Sequence, residues 1–198
     1  MTDNVPSSLE AAEGRHAGAA PYVLAFDTAN EVIALGLGRL LAQVMPGEDA
    51  PTVDVVLSLE VEARRASNTQ LLPRIDAALA AQGVEKSEIA CVVCGRGPGS
   101  FTGVRIALAT PRGMASALGV PLVGVSSLDV VAWHAWASGV RGRLAVVADA
   151  MRKEVYPVHY ALDDAGVHRL EADCVVKAQV AAQELVDEAS AGAAVGAL

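Results

Sequence analysis

The spacing of apolar and polar residues changes period several times along this chain, and each change predicts an element. Residues 22–27 (YVLAFD) and 32–38 (VIALGLG) are short strand-like runs. The tight turn Thr28-Ala29-Asn30-Glu31 joins them, which predicts a hairpin. A turn-rich stretch, MPGEDAPT at 45–52, leads to a third strand at 53–61. From 68 to 82 the period becomes helical, with Leu71, Leu72, Ile75, Ala78 and Leu79 on one face. Ser67, Asn68 or Thr69 can cap this helix and Gly83 can stop it, while Pro73 is expected in the first turn or at a kink. A strand at 89–95, a helix at 102–118, a strand at 121–125 and a helix at 127–137 capped by Ser126 or Ser127 follow. After Gly139 the strand pattern restarts at 144–149, 155–162 and near 174–176. A helix at 179–188 comes next, and the apolar end AGAAVGAL predicts a last strand.

Three strands, then alternating helices and strands, then strands again predict an α/β protein of two lobes. Their boundary is expected near 139–142, giving an N-terminal lobe at 21–139 and a second lobe at 140–198. Residues 1–20, MTDNVPSSLEAAEGRHAGAA, lack the apolar core of a secretory signal and read as a flexible tail.

The helix at 102–118 is unusual. At 100° per residue, Val104, Ala107, Leu108, Pro111, Met114, Ala115 and Leu118 form one broad apolar face. Opposite lie Ile106, Ala109, Thr110, Gly113, Ser116 and Ala117, mostly small side chains, and Arg105 and Arg112 mark a polar edge. A helix at the surface of a monomer normally shows charge to water. Two readings stay open: both faces are covered within the lobe, or the small face packs closely against a helix of another subunit. The second makes Leu71, Leu72, Ile75, Leu79, Arg105, Ile106, Ala109, Arg112, Gly113 and Ala117 candidate partner-interface residues.

The loop before that helix, Gly97-Pro98-Gly99-Ser100, does not match known phosphate-binding patterns. It has no lysine of a GxxxxGK[ST] loop. Gly97, Gly99 and Gly103 give GxGxxxG rather than the dinucleotide fingerprint, and Pro98 removes an amide. Ser100 and Thr102 have no His/Asp partners nearby in sequence and fit as N-caps; an anion cradle at the helix start is the alternative.

Composition narrows the function classes. The 198 residues are 53% hydrophobic with a mean hydropathy of +0.37. Gly, Pro and charge nevertheless interrupt every apolar run short of the roughly 18 residues a membrane span needs. A net charge of −8 excludes a protein that grips nucleic acid by itself, and the basic cluster Arg64, Arg65, Arg74 is too thin to change that. Cys91 and Cys94 form a CxxC within a strand, where positions three apart point to opposite faces. With Cys174 distant and no second CxxC, structural thiols in a reducing compartment are expected.

Five sequence words carry a resemblance: LAFDTAN, NTQLLPRID, GRGPGSFTGVRIALATPRGMA, VPLVGVSSLD and VVADAMRKEVY. Together with the element order, they resemble the bacterial TsaB (YeaZ) family of tRNA threonylcarbamoyladenosine biosynthesis subunits, often labelled glycoprotease-like. The resemblance runs from about Tyr22 to Tyr160. It implies the actin-like/Hsp70-like (ASKHA, ribonuclease H-like) fold, each of its two lobes a mixed sheet flanked by helices. Family members usually continue past the end of this chain, so an incomplete second lobe is expected.

The resemblance further implies a cytoplasmic, non-catalytic subunit. Its partners would be a catalytic threonylcarbamoyl transferase paralogue and an associated ATPase subunit. It would form a homodimer when alone, meet tRNA only through the complex and have no membrane contact. The catalytic paralogue carries metal-binding histidines at positions that fall on Ser127 and Val131, which cannot replace two imidazoles. His16, His134, His159 and His168 are too dispersed to rebuild them. In the superfamily a carboxylate ending the first strand serves a metal–phosphate. Asp27 with Thr28, and Asp149 in the second lobe, occupy such positions, but the turns after them lack glycines. These three are vestigial cofactor-site candidates; the other reading makes both aspartates turn caps. No resident cofactor is expected, beyond weak ATP or ADP binding. The competing function class is a nucleotide-binding ATPase, phosphotransfer or glycoprotease-like hydrolase of the same superfamily.

Overall fold

The computed structural model describes residues 21–29, 32–41, 53–62 and 67–190. The tail at 1–20, the turn at 45–52, Asn30, Glu31, Arg64, Arg65 and the strand expected at 191–198 lie outside the described residues.

Two compact units divide the chain. The first holds a five-stranded sheet in the order β3-β2-β1-β4-β5. Its strands are β1 (Tyr22–Asp27), β2 (Val32–Leu40), β3 (Val53–Glu62), β4 (Ile89–Gly95) and β5 (Leu122–Val125). β1 pairs antiparallel with β2 and parallel with β4, so the sheet is mixed. β2 pairs antiparallel with β3, and the register shifts between Leu37 and Gly38.

Helix α1 (Ser67–Gln82) continues through Pro73, which stands beyond the first turn. Leu71, Ile75, Ala78 and Leu79 enter the core with Leu24, Phe26, Ile33, Leu35, Leu37 and Val92. Fully burying each large aliphatic side chain contributes about 1.5–3 kcal/mol. Gly83 ends α1 in the left-handed region, φ +65°, and Val84 N–H returns to Leu79 O at 3.0 Å. Gly119, φ +66°, ends α2 (Phe101–Leu118) in the same way, with Val120 N–H bonded to Ala115 O.

Cys91 pairs with Val23 and Cys94 with Phe26, so the two thiols lie on opposite faces of the sheet. Burial raises both thiol pKa values, and Asp27 pushes Cys94 up further.

The second unit is built on β6 (Gly142–Asp149), β7 (Glu154–Asp163), β8 (Gly166–Arg169) and β9 (Val176–Lys177). β7 pairs antiparallel with β6, β8 and β9. β8 was hidden from the sequence pattern, because a four-residue strand holds too few alternations to register. Helix α3 (Ser127–Ala137) packs on β6, β7 and β8, and α4 (Ala178–Ser190) on β7 and β9. Leu128, Ala132 and Ala135 of α3 join Leu144, Val146, Val158 and Tyr160 in this unit's core. The division therefore falls between Gly124 and Val125, not at 139–142, and residues 97–100 also group with the second unit.

Candidate functional site

Ser100 stands immediately before α2, at the N-cap position, whereas Thr102 lies inside the first turn and is exposed. Thr102 is therefore no cap. Gly103 is buried, and its carbonyl accepts the buried Thr28 hydroxyl at 2.9 Å. That bond ties the turn after β1 to the start of α2. In the second unit, Gly97 has φ +83° and a cis bond to Pro98. The Gly97 carbonyl accepts the Ser127 N–H at 2.9 Å and, more weakly, the Ser126 hydroxyl at 3.5 Å. Ser126 does occupy the N-cap position of α3, but its hydroxyl makes no cap bond.

Gly103, Ala107, Pro111 and Ala115 form the buried stripe of α2, each four residues from the next. Small side chains there let the helix sit close to β4. Facing solvent are Thr102, Arg105, Leu108, Ala109, Arg112, Gly113, Ser116 and Ala117. Leu108 is 42% exposed, so it belongs to the outer face rather than the inner one. A Cβ added at Gly113 would meet nothing within 4 Å. This outer face carries two arginines and no acidic residue.

Arg105, Ala109, Arg112, Gly113 and Ala117 thus share one exposed surface. Other interface candidates do not. Ile106 is half-buried and packs against the first core, because the tight inner stripe rotates its neighbours inward too. Leu71, Ile75 and Leu79 are almost fully buried, since their i, i+4, i+8 stripe covers the sheet of their own unit. Leu72, 49% exposed, is the one of these four α1 positions that reaches solvent.

The carboxylate candidates sit in separate units. Asp27 Oδ1 accepts the Ala29 N–H at 2.7 Å, and Asp149 Oδ1 accepts the Met151 N–H at 2.8 Å. Each spans two residues, the geometry of an aspartate closing its own turn. Gly95, at the end of β4, is fixed by Asp27: a Cβ there would collide with the carboxylate. Ser127 gives its backbone N–H to Gly97, and Val131 packs against the α3 core cluster. Among the described residues no three His, Cys, Asp or Glu side chains gather as a metal site.

Sequence reasoning missed a polar cluster in the second unit. The buried Tyr160 hydroxyl donates to Asp129 Oδ1 at 2.7 Å, and Arg169 Nη1 donates to the same oxygen at 2.9 Å. Burial first, then the bond to Asp129, holds the phenol well above its usual pKa. Asp129 follows the two serines that open α3, but no sequence spacing links it to residues 31 and 40 positions away.

Residues 60–193 match the family model described as "TsaD: tRNA N6-adenosine threonylcarbamoyltransferase". The tRNA threonylcarbamoyladenosine biosynthesis protein TsaB of Escherichia coli is 32% identical over 160 residues, 80% of this chain and 63% of that protein. An uncharacterized Mycobacterium tuberculosis protein is 38% identical over 138 residues, 70% of this chain and 58% of its own length. YeaZ from Pseudomonas aeruginosa superposes with a TM-score of 0.65 at 31% identity, covering 79% of this chain and 67% of that one. The chain belongs to the TsaB (YeaZ) family.

It spans about three fifths of the length of these Escherichia and Mycobacterium relatives. The TsaB-like sequence words fall where the geometry above concentrates. GRGPGSFTGVRIALATPRGMA runs from the end of β4 through the loop into α2. VPLVGVSSLD crosses β5 into the first turn of α3, and VVADAMRKEVY makes the β6–β7 hairpin. No helix among the described residues is long and apolar enough to cross a membrane.

Proposed function

We propose that this chain is a non-catalytic, cytoplasmic partner subunit in the formation of N6-threonylcarbamoyladenosine at position 37 of tRNA. It pairs through the outer face of α2 with a catalytic threonylcarbamoyl transferase paralogue, works alongside an ATPase subunit and forms a homodimer when alone. The observation that carries this reading is the solvent face of α2, where Leu108, Ala109, Gly113 and Ala117 lie exposed together with Arg105 and Arg112. Small side chains let a second helix approach closely. The name of the Escherichia coli relative points to the same pathway.

A nucleotide-processing role is disfavoured by the same geometry. Asp27 and Asp149 each close their own turn through Oδ1, and the Thr28 hydroxyl donates to Gly103 O, which supports structural roles for all three. Reconstitution tests the proposal: the catalytic paralogue, the ATPase subunit, an activated threonylcarbamoyl donor, ATP and tRNA are combined with and without this chain. Modification should require it, and the chain alone should show no appreciable ATP hydrolysis. Full modification in its absence would overturn the reading.

A further inference from the structure

The turn between β6 and β7 is the most strained segment described. Met151, Arg152 and Lys153 follow one another at φ +66°, +53° and +64°, the left-handed region that residues with a Cβ rarely adopt. Several bonds hold the turn there. Met151 N–H bonds Asp149 Oδ1, Ala150 N–H bonds Glu154 O, and Glu154 N–H bonds Met151 O. From the start of α4, Ala178 N–H bonds Lys153 O at 2.9 Å, and the neighbouring Lys177 pairs with Glu154 at 2.6 Å. The result is a hydrogen-bonded turn with all three side chains exposed, Met151 to 68%.

Its charge runs against that of the chain. Asp149 is engaged by the Met151 amide and Glu154 by Lys177, so the adjacent acids are occupied. Among the described residues, the Arg152 guanidinium and Lys153 ammonium have no ion pair or side-chain hydrogen bond. Two neighbouring cations thus project from a protein of net charge −8. A three-residue tip is far too small for a standard protein interface of about 800 Å² per partner. Phosphate contacts differ: each phosphate neutralised by a cation adds its own counterion release.

We infer that this tip meets the sugar-phosphate backbone of the tRNA in the assembled complex, with Arg152 and Lys153 on phosphates and Met151 against a ribose or base. The inference rests on the proposed role in tRNA modification. Two phosphate contacts cannot hold RNA on an acidic subunit alone, so the contact operates only where the partner supplies the rest.

The test measures tRNA binding by the complex of this chain with its catalytic paralogue, across a salt series. The variants are Arg152→Gln with Lys153→Gln, and Arg152→Glu with Lys153→Glu. Melting curves and light scattering verify their fold and assembly. Neutralisation should make the plot of log affinity against log salt shallower by about 1.5, from roughly 0.7–0.9 per lost phosphate contact. Charge reversal should weaken binding at least tenfold near 0.1 M salt, while Arg152→Lys with Lys153→Arg should leave both readings unchanged. An unaltered affinity and slope in an intact complex would overturn the inference. Loss of assembly by the glutamate variant would also overturn it, in favour of a protein contact. Failure of the wild-type chain to assemble would defeat the underlying proposal, and the inference with it.

Discussion

Gly113→Leu separates the fold from the interface. Gly113 lies on the outer face of α2, its φ is not left-handed, and a Cβ built there finds open space. Nothing in the chain's own structure therefore requires glycine. Replacing a mid-helix glycine with leucine recovers about 0.8–1 kcal/mol of helix propensity. For a protein of this size that corresponds to a melting point higher by roughly 2–4 °C. A partner helix approaching closely over Ala109, Gly113 and Ala117 would instead meet four added carbons. Overpacking of that kind costs about 1–3 kcal/mol, or roughly one to two decades in association constant. Thermal melts and light scattering of the isolated protein, with a titration against the catalytic paralogue, read both effects. The expected result is a higher melting point with weakened association. Association equal to wild type in a folded variant would refute the interface, and a sharply lower melting point would refute the claim that Gly113 faces open space.

Further outcomes follow from the same geometry. Leu72→Ala, at a half-exposed position, should change stability by less than about 1 kcal/mol, whereas Ile75→Ala, fully buried three residues later, should cost about 2–5 kcal/mol in a urea melt. Gly95→Ala should lower the melting point, since the new methyl meets the Asp27 carboxylate and costs about 1–3 kcal/mol; a neutral result would show that Asp27 can move aside. Met151→Gly should stabilise by about 0.5–1 kcal/mol, the relief of one left-handed residue less the added entropy of the unfolded glycine. The Tyr160 phenol keeps its proton in the fold above its ordinary pKa, so above roughly pH 10 the unfolded chain ionises first and stability declines; a Tyr160→Phe variant should lose that part of the alkaline decline.

How far the sequence foretold this protein depends on the distance over which each feature is written. Elements whose signal is local were legible. The strand at 89–95 and the helix at 127–137 appear as expected, and Gly83 ends α1 as a left-handed cap. Periodicity also predicted a broad apolar face and a small-residue face on α2 with Arg105 and Arg112 at a polar edge; the structure puts both arginines on the exposed small-residue face. Periodicity placed Ala107, Pro111 and Ala115 inward, where the structure buries them, and erred on Leu108, which is exposed, and on Ile106, which packs against the first core. Gly103, one turn before Ala107, completes the buried stripe, and Leu108 lies outside it. The same reasoning erred on α1, where one apolar stripe cannot serve a core and a partner together: Leu71, Ile75 and Leu79 go to the core, leaving Leu72 outside.

Long-range features left no readable trace. The Thr28–Gly103 bond joins residues 75 positions apart, and the Asp129–Arg169 pair joins residues 40 apart. The boundary between units was placed late because α3 follows β5 directly in sequence yet packs on strands that come after it. The left-handed run at 151–153 was hidden for another reason. None of Met, Arg and Lys favours that backbone, so local propensity argues against it, and the conformation depends on Asp149, Glu154 and Ala178 acting together. A backbone held against the preference of its own residues stands only where its surroundings over-determine it. Met151→Gly tests that strain, and the charge variants test what the tip presents, both independently of the α2 interface.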